Sequence, residues 1–285
     1  MHSSEIIKHY RYTKSFYFLS TVIPWSFWLI AGYISHQSPH QQALITTLAL
    51  LGLVAPTLVS YMLASKEPLV KKDLLRRFFN FNEVPPAYLL GALLIMPISI
   101  MLARAVSLLF GYSTAQFTIS TEFSFTFGIL PAWILLVLAP MLEEIAWHSY
   151  GTDALKNKFN LFNTCMIFSL FWGIWHIPLA TINQSYQSNV VEVSWIHGAN
   201  FLLSIFPFVI LMNWLYYKTG RNIVITILFH ITAGLFNELF SPHPDTKIIQ
   251  TVLLTILAIF IIVKEKNMFF NPITHKKISN SPQYV

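Results

Sequence analysis

The chain has 285 residues, 55% of them apolar and only 11% charged, with mean hydropathy +0.57 and a formal charge of +6. Soluble domains carry about 25% charged residues, so a water-soluble enzyme or binding module is excluded. The basic balance does not require a nucleic-acid partner, because membrane topology accounts for it.

The N-terminal stretch MHSSEIIKHYRYTK is polar and basic, and no small-residue cleavage site follows the first apolar run. No cleavable signal peptide is therefore expected. Apolar runs then predict eight membrane spans, at roughly 15–35, 43–65, 87–110, 130–152, 163–183, 198–217, 221–240 and 246–263. Each approaches the ~20 residues needed to cross about 30 Å of hydrocarbon. Only helices or closed barrels satisfy backbone groups in lipid, and runs this long without alternation must be helices. The expectation is an all-α polytopic membrane protein, residues 1–285 forming one helical domain. Its one cysteine, Cys165, permits no intrachain disulfide and reads as a small core residue.

Lys and Arg distribution orients this bundle. Lys8, Arg11 and Lys14 precede span one, and Lys66, Lys71, Lys72, Arg76 and Arg77 lie between spans two and three. Lys156 and Lys158 follow span four, Lys218 and Arg221 follow span six, and Lys264, Lys266, Lys276 and Lys277 follow span eight. These are 16 of the 18 basic residues, all on one side, which places both termini in the cytoplasm. Short loops suit a bacterial plasma membrane. The segment from 66 to 86 reads as a topology anchor, and Lys247 is the one basic residue of the opposite loops. Arg104 lies inside span three, where it is expected to pair with a carboxylate or bind an anionic group.

A charged residue inside a span costs about 2.5–3.5 kcal/mol on insertion scales, so it is a functional candidate by default. Span four contains Glu143 and Glu144, with His148 one turn beyond the second. The run EEIAWHSYGTDALKNK reaches its first lysine only at 156, which favours a helix that continues past Pro140. Adjacent glutamates on a helix point about 100° apart and cannot share one role. Either Glu143 faces a cavity while His148 holds Glu144, four residues away, or the reverse holds. Span five adds His176 and span seven adds His230 at similar depth. Such groups are tolerated in hydrocarbon when they solvate one another, a water or a metal, and one shared site is the economical explanation. A poorly solvated carboxylate can serve as general base near neutral pH. Imidazoles can ligate a metal or donate to a developing oxyanion, and either arrangement activates water against an amide carbonyl. No serine or cysteine has the company a nucleophile needs. Glu238 and His243 are expected at the outer end of span seven, facing solvent, and His197 at the outer edge of span six.

These stretches, EEIAWH, WGIWH and LFHITAG on spans four, five and seven, resemble the CPBP family. That family comprises CAAX-prenyl-protease and bacteriocin-processing intramembrane proteases, also called Abi, with the pattern EExxxR, FxxxH and HxxxN or HxxxD. The resemblance covers about 130–240. It implies that Glu143 is the catalytic glutamate, Glu144 the second motif glutamate, and His176 and His230 the site histidines. The histidines then either bind a divalent metal such as Zn2+, with Glu143, or stabilise the oxyanion in a metal-independent route. The pattern's arginine is replaced by His148, which is shorter and not permanently charged. Its phenylalanine is Trp172, which keeps an aromatic wall. Its last polar residue is Gly234, and the nearest amide, Asn237, lies about 10 Å along the axis from His230.

The expected function is therefore an intramembrane endopeptidase acting on a peptide or membrane-protein substrate in the lipid bilayer, with no nucleic acid involved. The replaced arginine and polar residue favour an alternative, a catalytically weak relative acting in bacteriocin immunity or in regulation of a partner. A proton-coupled transporter is disfavoured, because the sequence has no repeat-related halves.

Overall fold

The computed structural model describes residues 3–79, 84–120, 123, 129–240 and 243–271. Lys276 and Lys277 of the charge count lie outside the described residues. Every regular element among the described residues is helical, and an isolated antiparallel bridge pairs Ile119 with Phe240.

In chain order the helices are α1 (Ser3–Ile6), α2 (Thr13–Gln37), α3 (Gln42–Ala64), α4 (Pro68–Phe79), α5 (Pro86–Ser107), α6 (Ala132–Ala146), α7 (Thr152–Lys156), α8 (Leu161–Trp175), α9 (Tyr186–Val193), α10 (Trp195–Lys218), α11 (Ile223–Glu238), α12 (Pro244–Lys264) and α13 (Lys266–Phe270). Each of the eight expected spans coincides with a helix. Six, namely α2, α3, α5, α8 with its 3-10 extension, α10 and α12, are long and apolar enough to cross a membrane. The helix at span seven, α11, is shorter, at 16 residues.

Span four is the irregular one. A π-helical turn, Trp147–Gly151, joins α6 to α7, so one helical path runs from 132 to 156 with the glutamate pair inside it. Pro24, Pro56, Pro97, Pro140 and Pro207 all sit within helices, which a membrane bundle tolerates because neighbouring groups re-satisfy the freed carbonyls. Helix starts follow local chemistry. Asn160 caps α8 by accepting from the Asn163 N–H at 2.8 Å, and Asn222 caps α11 by accepting from the Val224 N–H at 2.9 Å.

Aromatic packing holds α2, the span-four helix and α8 together. The Trp28 and Trp175 rings meet edge to face at 4.5 Å, Trp147 and Trp175 at 5.2 Å, and Phe168 stacks on Trp172 at 5.5 Å. Gly151 admits Phe16 against the π turn: a methyl group there would lie 2.6 Å from the Phe16 ring.

The 66–86 segment is more than a charged anchor. Within it α4 presents a polar outer face but buries Asp73 and Arg77, 7% and 1% exposed. Glu238, expected in solvent, is instead buried at 6% exposure, because α11 keeps that face toward the bundle interior.

Candidate active site

Glu143 and Glu144 leave α6 in different directions, as 100° of helical rotation requires. Glu143 lines a cavity of 720 Å³ together with Trp172, His176 and His230, while Glu144 is fully buried behind that wall. The orientation left open by the sequence is thus settled by packing. His230 brings its Nδ1 to 2.8 Å from Oε1 of Glu144, and since a carboxylate accepts, the ring donates Nδ1–H. His148 Nδ1 lies 2.5 Å from the other oxygen, Oε2, a close polar contact whose alignment falls short of a hydrogen bond. Glu144 therefore stands between two histidines from two helices.

Across the cavity α8 supplies two groups one turn apart. The Trp172 indole N–H donates to Oε2 of Glu143 at 2.9 Å. The Trp172 carbonyl accepts Nδ1–H of His176 at 2.6 Å, which leaves Nε2 of His176 unprotonated in the neutral ring. That Nε2 is 3.9 Å from Oε2 of Glu143, too far for a direct hydrogen bond and close enough for one water to reach both. Edge-to-face contacts of His230 with Trp172 at 5.4 Å and of His176 with Phe201 at 5.5 Å fix the ring planes.

Asn237 also lines the cavity, but its side chain donates to the Ala233 carbonyl at 2.8 Å along its own helix. At Gly234 the wall has no side chain; a Cβ there would meet Leu136 at 3.5 Å, an ordinary contact. Arg104, expected to have a carboxylate partner, lies instead over the Phe240 ring at 4.3 Å, with no hydrogen bond from its guanidinium among the described residues. His197 pairs with Asp245 at 3.0 Å. Glu143 and His176 are two of the donors a divalent ion would need. Among the described residues no group of three His, Cys, Asp or Glu side chains is arranged to hold one.

Below the site lies a charged cluster that sequence reasoning missed. The π turn shifts the backbone register and frees carbonyls, and Arg77 of α4 takes two of them. Its Nη1 donates to the His148 carbonyl at 2.8 Å and its Nη2 to the Ser149 carbonyl at 2.8 Å. Arg77 also pairs with Asp73 at 3.0 Å and with Asp153 at 3.0 Å. Arg221 joins Asp73 at 2.9 Å and contacts Asp153, while Tyr10 donates to Asp73 at 2.8 Å and Tyr217 to Asp153 at 3.0 Å. Burial alone would raise the Asp153 carboxyl, but Arg221 and Arg77 outweigh it and hold the carboxyl below the usual range. The i,i+4 spacing of Asp73 and Arg77 was the available signal, masked by the four other basic residues of that loop.

Residues 124–236 match the family described as type II CAAX prenyl endopeptidase Rce1-like. The chain is also 37% identical, over 268 residues, to CAAX prenyl protease 2 of Methanococcus maripaludis. That alignment covers 93% of this chain and 98% of the archaeal protein.

Proposed function

Because the chain belongs to the Rce1-like family of CAAX prenyl endopeptidases, a family of membrane proteases, we propose that it hydrolyses a peptide bond with a water activated by Glu143. The observation that carries this reading is Glu143 and His176 facing one cavity across a gap that fits a single water.

In this mechanism Glu143 takes a proton from the water as its oxygen attacks the scissile carbonyl carbon. His176 accepts the water's other O–H at Nε2 and so orients the lone pair. His230 donates from Nε2 to the oxyanion, and the Glu144 carboxylate behind it stabilises the positive charge on that ring. Glu143 then passes its proton to the departing amine and the C–N bond breaks. Trp172 aligns Glu143 and His176 with one another. No step is routed through a metal, since among the described residues Glu143 and His176 stand together without a third donor side chain. Cleavage that survives dialysis against a chelator supports this route; cleavage lost and then restored by Zn2+ overturns it.

The substrate class follows from the cavity. Its 720 Å³ is lined by Trp28, Leu53, Met96 and Phe208, which suits an apolar segment such as a membrane-embedded stretch or a prenylated C-terminus. The archaeal relative's name carries the second of these. The test is Glu143→Gln and His230→Ala, assayed for cleavage in membranes against a panel of both substrate kinds. The reading requires losses of about 10²-fold or more in each.

His148 in place of arginine and the bare wall at Gly234 favour a second reading, a weakly catalytic relative that binds a partner in bacteriocin immunity or regulation. Cellular phenotypes unchanged in both variants would support it and overturn the protease reading.

A further inference from the structure

Helix α4 has two faces of different chemistry. Val70, Asp73, Leu74 and Arg77 point into the protein and are buried. Asp73 and Arg77 join Tyr10, Asp153 and Arg221 in an ion-paired plug beneath the π turn. On the opposite side Lys72, Leu75 and Phe79, spaced i, i+3 and i+7, share one stripe. Leu75 is 51% and Phe79 77% exposed, and Lys71 and Arg76 stand exposed on the flanks.

Large apolar side chains set among cations suit the boundary between lipid headgroups and acyl chains. There the leucine and the aromatic ring enter the apolar layer while ammonium and guanidinium groups stay at the phosphates. Two neighbouring contacts have the same character. Lys66 Nζ lies 5.3 Å from the centre of the Tyr12 ring and Lys71 Nζ 5.5 Å from that of Tyr61, and tyrosines are at home at the headgroup level. The acidic residues of this stretch do not cancel the charge. Glu67, which precedes α4, lies 3.9 Å from His9 and 4.0 Å from Arg11, and Asp73 is turned inward. Arg76 approaches Asp73 at 4.0 Å, yet its side chain remains 55% exposed. The helices that α4 connects, α3 and α5, are both long and apolar enough to span a membrane, so lipid lies beside this face.

We propose that the outer face of α4, with Lys66 at its approach, is a docking surface for anionic phospholipid headgroups, and that their binding holds α4 against the π turn next to the glutamate pair. Each Lys or Arg near an anionic surface adds to the attraction, and four of them lie within one short stretch. The coupling to the site is a matter of connectivity. The helix that presents Lys72 and Arg76 outward is the one whose Arg77 donates to the His148 and Ser149 carbonyls on its inner side. An anionic bilayer therefore stabilises the folded protein and, on the protease reading, raises the rate of cleavage. The docking itself does not rest on that reading.

Thermal unfolding of the purified full chain in neutral detergent, titrated with phosphatidylglycerol or phosphatidylcholine, tests the docking without requiring catalysis. Phosphatidylglycerol is expected to raise the unfolding midpoint saturably, and phosphatidylcholine at the same concentrations to leave it in place. Lys72→Glu with Arg76→Glu is expected to need about tenfold more phosphatidylglycerol, or more, for the half-maximal shift. Lys264→Glu with Lys266→Glu makes the same charge change at two other exposed positions and is expected to respond as the unaltered protein does. Equal shifts with both lipids, or equal losses in both double variants, overturn the proposal. So does a shift reproduced by glycerol phosphate alone, which would mark a free-phosphate site. If the α4 variant unfolds earlier in phosphatidylcholine, the half-maximal lipid concentration still decides, since an unchanged value overturns the proposal. A Glu143→Gln background is expected to keep the shift, so absence of cleavage in every lipid sinks the protease reading and leaves the docking standing.

Discussion

Trp172 joins the two sides of the site, since its indole N–H holds Glu143 and its backbone carbonyl sets the His176 tautomer. A phenylalanine there keeps the ring and the carbonyl but removes the donor. A hydrogen bond to a charged group contributes about 1.5–3 kcal/mol, so Trp172→Phe is expected to lower kcat by roughly 10–100-fold with KM within about twofold. Steady-state kinetics on purified protein decide it; a change confined to KM would remove Trp172 from the alignment of Glu143. Glu144→Gln makes a parallel case. The amide still reaches His230 but brings no charge, so kcat is expected to fall by about tenfold or more while the protein still folds. At this scale the sequence was most informative: costly residues in hydrocarbon identified Glu143, Glu144, His176 and His230. It could not say which glutamate faced the cavity, because that depends on where α6 is rotated by its neighbours.

The π turn is the element that places the pair, and α4 is what holds the turn. Arg77 donates to the carbonyls of His148 and Ser149 and balances Asp73 and Asp153, so Arg77→Ala leaves buried carboxylates without compensation. Breaking such a cluster costs about 3–5 kcal/mol, which chemical unfolding in detergent would register. The same cluster predicts a pH dependence. Asp153 has a folded-state pKa below its unfolded value of about 3.9, so its contribution is fully present above that pH and is lost as pH falls through the folded value. Unfolding midpoints are expected to decline below about pH 4, and Asp153→Asn is expected to flatten that decline. The surrounding carboxylates soften the contrast without changing its sign. None of this was legible from the loop sequence, where five Lys and Arg residues read alike and only the tertiary structure buries one of them.

The molecule as a whole is a bundle with a polar plug at one end and an apolar cavity at the other, with Glu143, Glu144, His176 and His230 where the two meet. Cavity volume can be altered without touching those groups. At Gly234 a Cβ is accommodated at ordinary contact distance, so Gly234→Leu directs its bulk into the cavity. The expected outcome is a KM raised by about tenfold, corresponding to about 1.4 kcal/mol, with the unfolding midpoint nearly unchanged. An unaltered KM would show that substrate does not pass that wall.

Fold class, the positions of the long apolar helices and the candidacy of Glu143, Glu144, His176 and His230 were legible in the sequence alone. Hydrophobic run length and the cost of charge in lipid are properties of local composition, and they survive without a partner. The separate orientations of Glu143 and Glu144, the burial of Glu238, the placement of Arg104 over Phe240 and the Arg77 cluster were decided by tertiary structure. Each depends on which face of one helix meets another, and a helix pattern apolar on nearly every side carries no record of that choice.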